Sequence, residues 1–123
     1  MVAKKILLIE DDPFLVDIYS SKIKKAGFLI EIAEDGEKGL QRAKEGKPDL
    51  VLLDIVLPKM DGWEVLEKIR QDENLKDLKV VVLSNLGQKE EVEKGIALKA
   101  TKYLIKAHYA PSDVIKEIEE LLK

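Results

Sequence analysis

Short runs of consecutive aliphatic residues recur along this chain, and each ends on a polar side chain. Lys5–Ile9 runs into Glu10, Asp11 and Asp12, Leu50–Leu53 into Asp54, Val80–Leu83 into Ser84, and Tyr103–Ile105 into Lys106. A half-exposed strand alternates apolar with polar residues, so an unbroken aliphatic run reads as a strand buried on both faces. Between these runs apolar residues recur at helical spacing: Leu15, Ile18, Tyr19, Ile23 and Ala26, then Gly39, Leu40 and Ala43, then Trp63, Leu66 and Ile69, and finally Val114, Ile115, Ile118, Leu121 and Leu122. Asp12-Pro13 and Asp35 supply helix starts, and Gly27 and Gly46 supply stops.

Two segments read less clearly. Leu29–Ala33 alternates more than the other runs and predicts an edge strand. Val92, Ile96 and Leu98 predict a fourth helix, although Gly95 inside it costs about 1 kcal/mol relative to Ala. This fourth helix is expected to be the most mobile. Strands alternating with helices imply right-handed crossovers and a parallel sheet covered on both faces.

Composition narrows the function. With 123 residues the chain is expected to form one domain, residues 1–123. The net charge of -3 gives no reason to expect nucleic acid or an acidic membrane as partner. Cysteine is absent, which removes thiolate metal sites and cysteine nucleophiles. The first apolar run stops at Glu10, too short for a signal peptide or a span, so a cytoplasmic protein is the expectation.

In open parallel sheets, ligands sit beyond the carboxyl ends of the strands, where the strand order reverses. If the first and third strands flank that point, Glu10, Asp11 and Asp54 converge. Crowded carboxylates repel, and they stay ionised together only with a cation among them. Oxygen-only ligation favours Mg²⁺ over zinc, and Mg²⁺ commonly shares its shell with a phosphate. An Asp beside such a metal can attack phosphorus, with Lys106 offsetting charge and Ser84 bonding a phosphoryl oxygen.

Ile6–Asp12, Asp54 followed by Pro58-Lys59-Met60-Asp61-Gly62, Ser84 after its strand, and Tyr103-Leu104-Ile105-Lys106 together resemble the receiver domain of two-component response regulators, over essentially the whole chain. The resemblance implies a flavodoxin-like α/β fold, a doubly wound (βα)5 with a five-stranded parallel sheet in the order 2-1-3-4-5. It implies a signalling switch rather than an enzyme, although such a site can promote its own phosphorylation and dephosphorylation. Asp54 would be the phospho-acceptor, and Mg²⁺ (or Mn²⁺) would be held by Glu10, Asp11, Asp54 and the backbone carbonyl of Val56. Ser84 and Lys106 would bind the phosphoryl group, and Ser84 and Tyr103 would form the switch. The donor would be a histidine kinase or phosphotransfer protein. No effector segment is expected beyond the last helix, and output is expected through a partner docking on the fourth helix, last strand and last helix, from a monomer or weak dimer.

Several residues also have plainer readings. Asp12 reads as a helix cap rather than a ligand, His108 as an exposed loop residue, and Trp63 as core or a cover over the third helix. Tyr103 is balanced between a switch and a packed aromatic. Departures from the family pattern are Ala107 where Pro usually follows the lysine, Lys99 where glycine commonly ends the fourth helix, and Asn85 after Ser84, which could narrow access. A trans Lys106–Ala107 bond is expected, because a non-proline cis bond costs about 2.5–4 kcal/mol. Val56 and Leu86, two positions beyond Asp54 and Ser84, cannot orient water, so slow self-dephosphorylation is expected. The alternatives are an unphosphorylated interaction module or scaffold and an aspartate-nucleophile phosphohydrolase, the latter disfavoured because Val56 stands where such enzymes want an acid.

Overall fold

The structure, a computed structural model, describes residues 3–123, so Met1 and Val2 of the expected domain lie outside the described residues. Strands β1 (Lys5–Ile9), β2 (Leu29–Ala33), β3 (Leu50–Leu53), β4 (Lys79–Ser84) and β5 (Lys102–Ile105) alternate with helices α1 (Pro13–Lys25), α2 (Gly36–Gly46), α3 (Gly62–Gln71), α4 (Lys89–Ala97) and α5 (Pro111–Leu121). The sheet is parallel in the order β2-β1-β3-β4-β5, as the resemblance implied, with β2 at an edge.

The aliphatic runs are continuous because the sheet is covered on both faces. Leu7, Ile9, Val51, Leu53, Val80 and Val82 pack beneath α2 and α3, and Ile6, Leu8, Leu50, Leu52, Val81 and Leu83 pack beneath α1 and α5. Each such side chain contributes roughly 1.5–3 kcal/mol when fully buried. Aspartates begin the first three helices: Asp12 accepts from Phe14 N at 2.9 Å, Asp35 from Lys38 N at 2.8 Å and Asp61 from Glu64 N at 3.0 Å. Asp12 is thus a cap, satisfying a backbone donor that the helix itself leaves free. Among the described residues no helix is long and apolar enough to cross a membrane.

Register then fixes the site. Ile9 pairs with Leu53, and Asp54 N donates to Ile9 O at 3.1 Å, so Glu10 and Asp54 leave neighbouring strands side by side. These two strands flank the place where the strand order reverses.

Helix α4 forms where the spacing predicts it. Ile96 on it is 63% exposed, and Gly95 is the helix's buried residue. The glycine has a packing reason, since a Cβ there would lie 2.5 Å from Tyr103 Cδ2. α4 meets the body through a ring laid against its backbone, with Val92 and Leu98 half-buried. Lys99 just beyond has φ +66°, the left-handed conformation expected of a residue in a glycine's place. Arg70 on α3 donates from Nε to the Lys99 carbonyl at 3.0 Å, and from Nη1 to the carbonyls of Leu78 at 2.6 Å and Lys76 at 3.1 Å. The Lys106–Ala107 bond is trans, with no cis peptide among the described residues, and the loop continues as a 3₁₀ turn over Lys106–His108.

A non-glycine residue in the left-handed region costs about 1 kcal/mol or more. Lys99→Gly is therefore expected to raise stability by roughly 0.5–1 kcal/mol, the balance left after the greater unfolded-state freedom of glycine. Thermal unfolding followed by circular dichroism measures it; a midpoint unchanged or lowered would show that Lys99 is not strained.

Candidate functional site

Glu10, Asp11, Asp54 and Lys106 come together at the carboxyl ends of the strands, as the sequence suggested. One carboxylate oxygen from each of the three acids lies within 4.8 Å of the others. The Lys106 ammonium sits between two of them, donating to Glu10 Oε1 at 2.9 Å and to Asp54 Oδ2 at 3.0 Å. The second oxygen of each acid is also engaged, Asp54 Oδ1 by Ile55 N at 2.7 Å and Glu10 Oε2 by Asp12 N at 3.2 Å. Glu10 and Asp54 are buried, while Asp11 is exposed at the mouth of the pocket.

Burial pushes the Glu10 carboxyl up; the Lys106 hydrogen bond pulls against this, the Asp54 charge adds to the rise, and the result lies above the ordinary glutamate value. For Lys106 burial pulls down, but the hydrogen bond to Glu10 and the charge of Asp54 outweigh it and the ammonium is held above its ordinary value. An ammonium is thus the cation that these acids already hold. Three carboxylates, with no histidine or thiolate among them, form a donor set suited to a hard divalent cation such as Mg²⁺.

The loop after β3 is held by a close approach. Gly62 N donates to Ile55 O at 2.7 Å, and a Cβ on Gly62 would lie 2.4 Å from Asp54 O. In the sequence Gly62 stands out only as the end of the Pro58-Lys59-Met60-Asp61-Gly62 stretch. Val56 lies in the same loop with its side chain 65% exposed.

Ser84 and Tyr103 both bond Leu86. Ser84, fully buried at the end of β4, accepts from Leu86 N at 3.2 Å, and the Tyr103 hydroxyl donates to Leu86 O at 2.6 Å. The Tyr103 ring stacks on Trp63, centroids 6.3 Å apart and planes 23° off parallel. Trp63, expected as core or cover, is therefore Tyr103's neighbour. Leu86 entered the sequence reading only as a border to water, and its role as the shared backbone partner had no sequence signal.

Lys106→Met leaves two buried carboxylates without their cation and is expected to lower stability at pH 7 by about 1–3 kcal/mol. Without the ammonium Glu10 lies higher still. Between the ordinary glutamate value of about 4.3 and that raised value, the folded variant then holds a proton that the unfolded chain lacks. Acidification through this window narrows the gap to wild type. Unfolding midpoints at pH 7 and pH 5 test this, and a gap that widens at pH 5 would refute it.

The chain matches the family described as "Response regulator receiver domain" over residues 6–119. It is 36% identical over 119 residues to the DNA-binding dual master transcriptional regulator RpaA of Synechocystis, covering 97% of this chain and 49% of that protein. It is 34% identical over 122 residues to the alkaline phosphatase synthesis transcriptional regulatory protein PhoP of Bacillus subtilis, covering 98% and 49%. The chain thus spans about half the length of these relatives. Among solved structures, a CheY-like response regulator receiver domain protein from Methanospirillum hungatei superposes with a TM-score of 0.90 at 28% identity, covering 98% of this chain and 94% of that one. The BeF3-activated DrrB receiver domain gives 0.87 at 25%, covering 98% of each. With its strand order, its acidic pocket and a match across almost its whole length, the chain belongs to the response regulator receiver domain family, the phosphorylation-dependent signalling switches of two-component systems.

Proposed function

We propose that Asp54 is the phospho-acceptor of this switch, receiving its phosphoryl group from a phosphohistidine on a histidine kinase or phosphotransfer protein. An oxygen of the Asp54 carboxylate forms the bond to phosphorus as the phosphorus–nitrogen bond breaks and the imidazole leaves. The observation that carries this reading is the Lys106 ammonium, 3.0 Å from Asp54 Oδ2 and 2.9 Å from Glu10 Oε1, in a pocket that also gathers Asp11. Lys106 would pass its hydrogen bond from the free carboxylate to a phosphoryl oxygen, and Ser84 would turn its hydroxyl from Leu86 N to another. Glu10, Asp11 and Asp54, with the Val56 carbonyl, would hold Mg²⁺ (or Mn²⁺). When bound, that ion offsets the charge of the incoming phosphoryl group.

Output would pass through Ser84 and Tyr103, which share Leu86, to a surface of α4, β5 and α5. An effector protein would read that surface. One sheet with both faces covered supports treating residues 1–123 as a single receiver domain. We read it as a cytoplasmic monomer or weak dimer, and the DNA binding named for one relative is not carried over, because only half of that protein is matched. Val56 in place of an acid argues against a phosphohydrolase.

Incubation with Mg²⁺ and a small acyl phosphate, followed by intact-mass analysis, is expected to add one phosphoryl group to wild type and none to Asp54→Asn. A metal-dependent gain that persists in the variant would remove Asp54 from this role. The acyl phosphate is further expected to be long-lived, because exposed Val56 and half-buried Leu86 offer water no partner. Introducing Asn at both positions should shorten its half-life by roughly tenfold, the effect of one positioned hydrogen bond worth about 1.4 kcal/mol; an unchanged half-life would sink this explanation.

A further inference from the structure

Helix α4 is attached to the body of the protein by very little. Its buried residue is a glycine, its large aliphatic Ile96 points to solvent, and its far end is fixed where Arg70 binds the Lys99 carbonyl. What lies beneath Gly95 is the Tyr103 ring, backed in turn by Trp63 from the start of α3. Trp63 also touches α4 directly. The Lys94 ammonium stands 4.7 Å from the centroid of its ring, and Cζ3 of the indole would lie 3.7 Å from a Cβ on Gly95. The indole therefore has two neighbours, Tyr103 of β5 and Lys94 of α4.

We propose that Trp63 is a positioning residue for the switch: in contact with both Tyr103 and Lys94, it keeps the tyrosine ring against Gly95 and so seats α4 on the sheet. The seat is narrow because each contact requires the others. A side chain at position 95 would displace the Tyr103 ring, and loss of the indole removes the backing of that ring together with the cation–π contact to α4. The Tyr103 hydroxyl ties the same ring to Leu86, the residue that also bonds Ser84. A rearrangement at Ser84 therefore reaches α4 through a ring whose position Trp63 sets. That last step rests on the phosphoryl reading given above; the seating of α4 does not.

The deciding comparison is amide hydrogen exchange in the whole chain with Trp63→Ala and Trp63→Phe. The alanine variant is expected to speed exchange in α4 by a factor of roughly two to ten, the range expected of one aromatic pair. β1 and β3 should stay as protected as in wild type, and the phenylalanine variant, which keeps a ring to stack, should stay near wild type. Unchanged α4 exchange in the alanine variant, or equal acceleration in both variants, would overturn the proposal.

Trp63 is the chain's one tryptophan, so its emission gives a second readout in the unmodified protein. Beryllofluoride with Mg²⁺ is expected to shift that emission in step with the appearance of a bound fluorine-19 signal. A bound signal with unchanged emission would overturn the coupling of Trp63 to the switch. Absence of a bound signal would count against the phosphoryl reading itself, and the exchange comparison would still decide whether Trp63 seats α4.

Discussion

The ammonium of Lys106 allows Glu10 and Asp54 to lie side by side as buried carboxylates. Parallel pairing of β1 with β3 forces the two acids together, and two like charges in a largely dry pocket repel. Lys106 meets both at once, so the ends of β1, β3 and β5 are joined by charge where the ladder of backbone hydrogen bonds has stopped. The pocket is therefore preset for positive charge. A divalent ion there would supply what the lysine supplies already, and would free the amine for an incoming anion.

The two faces of the sheet do different work. Beneath α1 and α5 the packing is aliphatic apart from Tyr19 and the partly buried aromatics Phe28 and Tyr109, and it gives β1, β3 and β4 a fixed platform. The other face carries α2, α3 and the lightly held α4, and there Trp63 and Tyr103 lie against the core.

The sheet and the acidic pocket were legible in the sequence because both follow from short-range rules. A doubly buried strand must be aliphatic throughout, and the residue after it must emerge at the edge, so Glu10, Asp54, Ser84 and Lys106 could be placed from the ends of four runs. Helix starts at Asp12 and Asp35 were readable for the same reason, since a cap is local. The surroundings of Tyr103 were not. Gly95 looked like a weakness in a helix, because periodicity counts side chains and cannot register a ring packed on backbone. The bond from Tyr103 to the Leu86 carbonyl is invisible for a similar reason, as every residue carries that acceptor. Lys99 lies between these cases: a lysine where a glycine is usual announced strain, and its positive φ bears that out.

Arg70 gathers three carbonyls, from the connections that lead into β4 and into β5, at the end of the sheet away from the carboxylates. One of them belongs to Lys99, directly beyond α4, so that end of the helix is pinned while its first turn lies beside the Ser84–Leu86 corner. Geometrically this makes α4 a lever with its fulcrum at Lys99. Its nine residues span roughly 13 Å at about 1.5 Å per residue. A tilt of about ten degrees about that fulcrum would carry the first turn about 2 Å, converting a hydrogen-bond rearrangement at one corner into a displacement that a partner could read.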